Sequence, residues 1–412
     1  MANFQQKLEK YADLALKKGV NLQKGQGLII SAPIEAQHLV HIITAKAYGR
    51  GAKDVHVEWA DDLLSYMKLK HAPMDVIENF PKWKADGMEE MVKDGYSFLS
   101  IYGPDPDLMK DVDGSRMAAK NKASAEALKT YRDYVMNYKV TWNIIAYPQA
   151  SWAKKIYPGL SEEKAKEKLW DQIFMITRVD QEDPIEAWNV HNERLRQARE
   201  YLNEKNYRKL HYKAPGTDLT IDLPEGHVWQ GGSKKSEAGV EFNPNIPTEE
   251  VFTLPHKNGV NGTVTSTKPL NYGGSLIENF QLTFENGQIV HFTAETGEDT
   301  LKHLLETDDG AKRLGEVALV PHESPISQSG HIFFNTLYDE NASCHLAIGK
   351  AYPSTLKDGI GMSEDVRKER GANDSLIHVD FMMGSEDLDI QGEKDDGTTE
   401  PVFIDGSWAL EF

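Results

Sequence analysis

The chain has 412 residues, of which 40% are hydrophobic and 27% charged. That apolar content excludes a disordered chain, and the length points to two domains, because an ordinary domain holds ~100–200 residues. Lys plus Arg number 46 against 64 Asp plus Glu, a net charge of −18, which argues against non-specific binding to nucleic acid or to an anionic membrane surface.

Phe4, Leu8, Tyr11 and Ala15 mark one face of an opening helix, with Asn3 as its cap and Gly19 as its stop. GLIISAP (27–33) reads as a short apolar strand, EAQHLVHIITAKAYGRG (35–51) as an amphipathic helix, and DVHVEWA (54–60) as an alternating strand. YSFLSIYG (96–103) and TWNIIAYP (141–148) are two further apolar runs, each followed by a helical stretch. Strands alternating with helices predict an α/β N-terminal domain with a mainly parallel sheet, over residues 1–207, closed by a long polar helix at about 184–205.

From residue 208 to residue 412 the pattern changes to short strands of period two. They are LTIDLP (219–224), GTVTSTKP (262–269), FQLTFENGQIVHFTAE (280–295), GEVALVP (315–321), CHLAIGKAY (344–352) and SLIHVDFMMG (375–384). Asn286-Gly287 predicts a hairpin turn, and Asn258-Gly259 and Asn261-Gly262 read as further turns. This half is predicted to be a strand-rich, mainly antiparallel α+β domain.

No apolar run approaches the ~20 residues that span a bilayer, and the N-terminal segment lacks the uninterrupted apolar stretch of a secretory signal. The single cysteine, Cys344, permits neither an intrachain disulfide nor a Cys-based zinc cluster. A cytoplasmic protein is the expectation. There is no G-x-G-x-x-G after the first strand, no Walker A loop, no H-E-x-x-H and no G-x-S-x-G, so nucleotide binding, zincin chemistry and a serine elbow all lack residue-level support.

What chemistry the sequence carries lies in the second half. His378 and Asp380 are two apart on a predicted strand and project from one face, while Ile377, Val379 and Phe381 point the other way. Taken alone, a solvated sheet face explains the pair better than metal binding. Glu316, in LGEVALV, taken alone reads as a strand-end surface residue, and Glu340, in YDENASCH, as a solvated loop glutamate. His345 shares a face with Ala347 and Gly349, whose small size leaves room for a ligand or for close backbone approach. Cys344, inside a strand, reads as a buried, inert thiol. Glu249 and Glu250 open another strand, and alternation lets at most one join a given site; spacing does not choose between them. Together the set offers three glutamates, one aspartate and two histidines. Such oxygen-rich donors suit two divalent ions better than one structural zinc.

Several ordered segments now point the same way: NIPTEEVFT (245–253), GEVALVP (315–321), FFNTLYDENASCHLAIGKAY (333–352) and HVDFMMG (378–384). They resemble the M29 family of metallo-aminopeptidases, the aminopeptidase T and aminopeptidase S group, and the resemblance covers essentially the whole chain. It implies a C-terminal domain carrying two divalent metal ions (Zn, Co, Mg or Mn) on Glu250, Glu316, Glu340, His345, His378 and Asp380. It selects the second glutamate of TEEVF and adds Tyr352, which an unbroken strand would turn away from His345 unless the chain bends at Gly349.

The implied activity is removal of the N-terminal residue from short peptides with a free N-terminus. Glu316 would bridge the ions, Glu250 or Glu340 would move the proton, and Tyr352 would steady the oxyanion. The family also implies a homodimer. A non-catalytic metal-binding or assembly protein and another metallohydrolase, such as a carboxypeptidase or deacetylase, are the competing readings.

Overall fold

A computed structural model describes residues 4–103, 105–272 and 275–412 of the chain. Asn3, read as a helix cap, lies outside the described residues. The chain forms two compact units, Met1–Val190 with Ser233–Pro247, and His191–Gly232 with Thr248–Phe412.

The first unit is built on β1 (Gly27–Pro33), β2 (Asp54–Ala60), β3 (Ser97–Tyr102) and β4 (Trp142–Ala146), in the order β2-β1-β3-β4 and parallel throughout. Parallel strands need helical crossovers that cover their faces, which is why β1 reads as a nearly continuous apolar run. Leu28, Ile29 and Ile30 of β1 are buried, as are Leu39, Val40, Ile43 and Ala47 of the following helix, Gln37–Gly49. In the opening helix Leu8, Tyr11 and Ala15 are buried, and the Tyr11 hydroxyl donates to the Ala146 carbonyl (2.9 Å) while accepting from the Ala146 N–H (3.0 Å). Segment 233–247 returns to the edge of β4. There the Ile144 N–H donates to Pro244 O (2.8 Å) and the Ile246 N–H to Ile144 O (3.0 Å).

The second unit is built mainly on two antiparallel sheets, beside a two-stranded hairpin of Leu270–Tyr272 and Ser275–Ile277. The strands of the two larger sheets are β5 (Lys209–Ala214), β6 (Thr217–Asp222), β7 (Gln230–Gly231), β8 (Val251–Thr253), β9 (Val260–Thr265), β10 (Gln281–Glu285), β11 (Gln288–Thr293), β12 (Leu314–Leu319), β13 (His345–Gly349), β14 (His378–Met382), β15 (Asp389–Glu393), β16 (Thr399–Ile404) and β17 (Ser407–Trp408). The larger sheet runs β11-β10-β9-β6-β5-β15-β16-β17, the smaller β14-β13-β12-β8-β7. Apolar side chains of both sheets meet in one core: Tyr212, Ile221, Val264 and Phe284 from the larger, Val317, Leu346, Ile348 and Phe381 from the smaller.

Asn286 and Gly287 have φ of 50° and 79°, so both central residues of the β10–β11 turn are left-handed, the conformation a two-residue hairpin asks for. Asn261-Gly262 is not a turn. It lies within β9, where Gly262, at φ 112°, allows close approach of the neighbouring β6, since a Cβ there would fall 2.2 Å from Asp218 O. The predicted run 344–352 is also shorter as a strand, ending at Gly349.

Candidate metal centre

The smaller sheet has one apolar face and one charged face, and both follow from strand alternation. On β13, Leu346 and Ile348 enter the core, leaving His345, Ala347 and Gly349 on the opposite face. On β14, Val379 and Phe381 pack against the core while His378 and Asp380 turn away from it. Leu314 and Val317 of β12 both pack inward because a register irregularity intervenes between Leu314 and Glu316. That extra residue gives Glu316 the parity of the charged face.

Register then brings the ligand-type residues together. Ala347 pairs with Glu316 on one side and with Asp380 on the other, and Gly349 pairs with His378. Strand β13, between β12 and β14, therefore puts its smallest side chains where those two strands put their charged ones. Glu316 is only 4% exposed and sits mid-strand, contrary to the surface residue it resembles when read alone. Glu250 precedes β8, and its Oε2 lies 3.2 Å from His345 Nε2. Its neighbour Glu249 is buried elsewhere, with Oε2 3.6 Å from His191 Nε2, as alternation requires.

The two carboxylate oxygens of Glu316 face different imidazoles. Oε1 is 3.6 Å from His345 Nε2 and Oε2 is 3.8 Å from His378 Nε2. His378 Nε2 is in turn 3.3 Å from Asp380 Oδ1. Two sets of ligand atoms result, Glu250–Glu316–His345 and Glu316–His378–Asp380, each with its atoms within 4.8 Å of one another and both using Glu316. Each imidazole turns its other nitrogen to the main chain: His345 Nδ1 lies 3.1 Å from Ser343 O, and His378 Nδ1 2.7 Å from Lys350 O. Such backbone partners fix ring orientation and leave Nε2 for the site. Sequence reading missed both carbonyls, because no side-chain identity announces them.

Glu340 lies in the short helical turn Glu340–Ala342, outside both sets but within their electrostatic field. Tyr352 reaches the site because the chain bends at Gly349, with φ 106°, where a Cβ would fall 2.2 Å from Ile377 O. Its ring centre is 4.7 Å from that of His378. Cys344 is buried, its sulfur 3.4 Å from the Val320 N–H and carbonyl groups, and burial pushes its thiol up to about 12; it is an inert core residue.

The electrostatics are those of charges gathered with too little positive charge among them. Burial pushes the Glu316 carboxyl up to about 7, against the lowering effect of His345. Burial, then Glu250 and Asp380, hold Glu340 well above the usual carboxylate range. Burial alone would depress His378, but Asp380 beside it raises the imidazole to about 10. His345 is likewise raised well above its ordinary value, Glu250 and Glu316 outweighing burial. Asp380 moves the other way: burial opposes its ionisation, but His378 holds it below the ordinary value. Among the described residues, Glu316 Oε2 is buried without a hydrogen-bond partner, and Asp380 Oδ1 faces the His378 Nε2 at 3.3 Å. Buried lone pairs of this kind are costly unless something positive meets them, so the donor set fits divalent cations.

An antiparallel unit that gathers carboxylates and imidazoles on one sheet face describes a candidate centre for divalent metal ions. The chain belongs to the thermophilic metalloprotease (M29) family, which it matches over residues 4–408. It is 55% identical to Aminopeptidase 2 of Geobacillus stearothermophilus and 51% identical to Aminopeptidase AmpS of Bacillus subtilis, each over 100% of both chains. The solved structure of wild-type AmpT from Thermus thermophilus superposes with a TM-score of 0.93 at 42% identity, covering 99% of this chain and 100% of that one.

Proposed function

We propose that the protein works as a dinuclear aminopeptidase, with one divalent cation held by Glu250, Glu316 and His345, a second by Glu316, His378 and Asp380, and Glu316 shared. Membership of the M29 family makes the chain a metal-dependent aminopeptidase. The single observation that supports the pairing is the division of the Glu316 oxygens between the two imidazoles. Carboxylates and imidazoles without thiolate suit zinc, cobalt, manganese or magnesium. When bound, such ions supply Lewis acidity, which strengthens water as a nucleophile near neutral pH and polarises a carbonyl.

The chain's own residues do the rest. We assign the proton to Glu340, which flanks the pair as a further ligand and belongs to neither set. It takes the proton from the attacking water and passes it to the leaving amine nitrogen. Burial, then the carboxylates of Glu316 and its neighbours, keep the Tyr352 phenol well above its ordinary value, so it stays protonated and can donate to the oxyanion. The carboxylates at the site also suit a substrate's positively charged α-amine. The substrates on this reading are short peptides with a free N-terminus, handled by a cytoplasmic homodimer.

The test compares an aminoacyl p-nitroanilide with its N-acetylated form before and after chelation. Release from the free-amine substrate alone, abolished by chelator and restored by a divalent ion, is expected. Equal release from both substrates would point to a different hydrolase, and no release from either to a non-catalytic metal protein.

A further inference from the structure

Four of the six ligand-type residues sit on strands of one sheet, but Glu250 and Glu340 do not: Glu250 precedes β8 and Glu340 occupies a short turn. Loops locate side chains less firmly than paired strands, so something else must fix these two carboxylates against each other's repulsion.

We infer that Asn341 is the positioning residue that ties the Glu250 and Glu340 segments together and sets the geometry of both carboxylates; the inference rests on the dinuclear reading above. Asn341 is fully buried. Its Oδ1 accepts the Glu249 N–H at 2.7 Å, one residue before Glu250. Its Nδ2 donates to Leu337 O at 3.1 Å and to Glu340 Oε1 at 3.4 Å. Its own carbonyl accepts the Ser324 hydroxyl at 3.2 Å. The partners leave one orientation of the amide, because a main-chain N–H only donates and a carbonyl only accepts. One side chain thus anchors the main chain entering β8 and holds one oxygen of the proton-carrying glutamate, leaving the other for the site. Neither a carboxylate nor an ammonium does both: the first lacks the donor and the second lacks the acceptor.

Two substitutions separate the two halves of this role. Asn341→Asp keeps an acceptor for Glu249 N–H and removes the donor to Glu340 Oε1 and to Leu337 O. It is expected to lower kcat by at least ~10-fold with KM and Co2+ affinity near wild type. Asn341→Ser removes both contacts and is expected also to weaken one of two Co2+ sites by ~10–100-fold, read by competition with a chromophoric chelator and by the cobalt absorption spectrum. Wild-type Co2+ affinity, spectrum and kcat in a folded Asn341→Ser protein would overturn the inference. Loss of the folded state in both variants would overturn it too, since the residue would then serve the fold rather than the two carboxylates. Wild-type protein that takes up a single Co2+ would instead refute the dinuclear reading and leave the Asn341 contacts to be judged on kcat alone, where an unchanged Asn341→Asp rate would still count against them.

Discussion

The two faces of the smaller sheet are made by the same strands and obey opposite rules. Leu346 and Ile348 alternate with His345, Ala347 and Gly349 along a single five-residue strand. The first pair joins the shared core and gains stability from burial, ~1.5–3 kcal/mol for each large side chain. The second set faces carboxylates whose burial costs free energy unless a cation meets them. Stability and function are thus separated by one residue of register, and a slip of one position would exchange them.

The sharpest way to break that contrast is to cut each face in turn on metal-free protein. Leu346→Ala should lose about 2–5 kcal/mol of stability, measured by urea unfolding. Glu316→Gln should lose none and should gain up to about 3 kcal/mol relative to wild type at high pH. The sign follows from linkage. Glu316 is raised to about 7 in the folded chain, so its contribution favours the fold at low pH and falls as pH rises from its unfolded value through 7. Glutamine has no such penalty. A Glu316→Gln variant destabilised like Leu346→Ala would show that Glu316 belongs to the fold rather than to the site.

Ala347 offers a subtler cut. It is buried between Glu316 and Asp380 in the register, so Ala347→Val adds bulk at the point where their side chains converge. Activity is expected to fall by about 10-fold or more, with a stability change of about 1–3 kcal/mol from overpacking. Unchanged kcat would mean that the small residue is not what lets the carboxylates approach.

The smallest effect lies away from the sheet. Glu400 is held down to about 2 by Lys205, then Tyr207, both hydrogen-bonded to it. A depressed carboxylate stabilises the fold above its unfolded value and loses that contribution as pH falls towards 2. Its side chain is 26% exposed, so solvent screening limits the effect to under about 1 kcal/mol. Glu400→Gln should flatten the acid limb of the stability profile by that amount and leave activity near neutral pH unchanged; an altered neutral rate would contradict the separation.

Much of this was legible in the sequence where local physics decides. The strands 27–33 and 54–60, the Asn286-Gly287 hairpin and the shared face of His378 and Asp380 follow from apolar runs, turn chemistry and period two, and each is present. Legibility fails where the deciding contact is remote. Asn261-Gly262 carries a turn's residues, but its glycine serves a neighbouring strand. Glu316 looks exposed in isolation because the register irregularity that turns it to the charged face is a pairing event. Spacing left Glu249 and Glu250 equivalent, whereas His191 and His345 take one each. The change in composition near residue 208 marks the start of strand-rich sequence. The compact units instead divide after Val190, and segment 233–247 returns to the first because of its pairing with Ile144.

The central claim is that two cations share Glu316, and metal content by mass spectrometry tests it most directly. After chelation and re-addition of Zn2+ or Co2+, wild-type protein should carry two ions per chain and regain activity, whereas Glu316→Gln should carry at most one and regain none. Two tightly held ions and full peptide hydrolysis in Glu316→Gln would contradict the account.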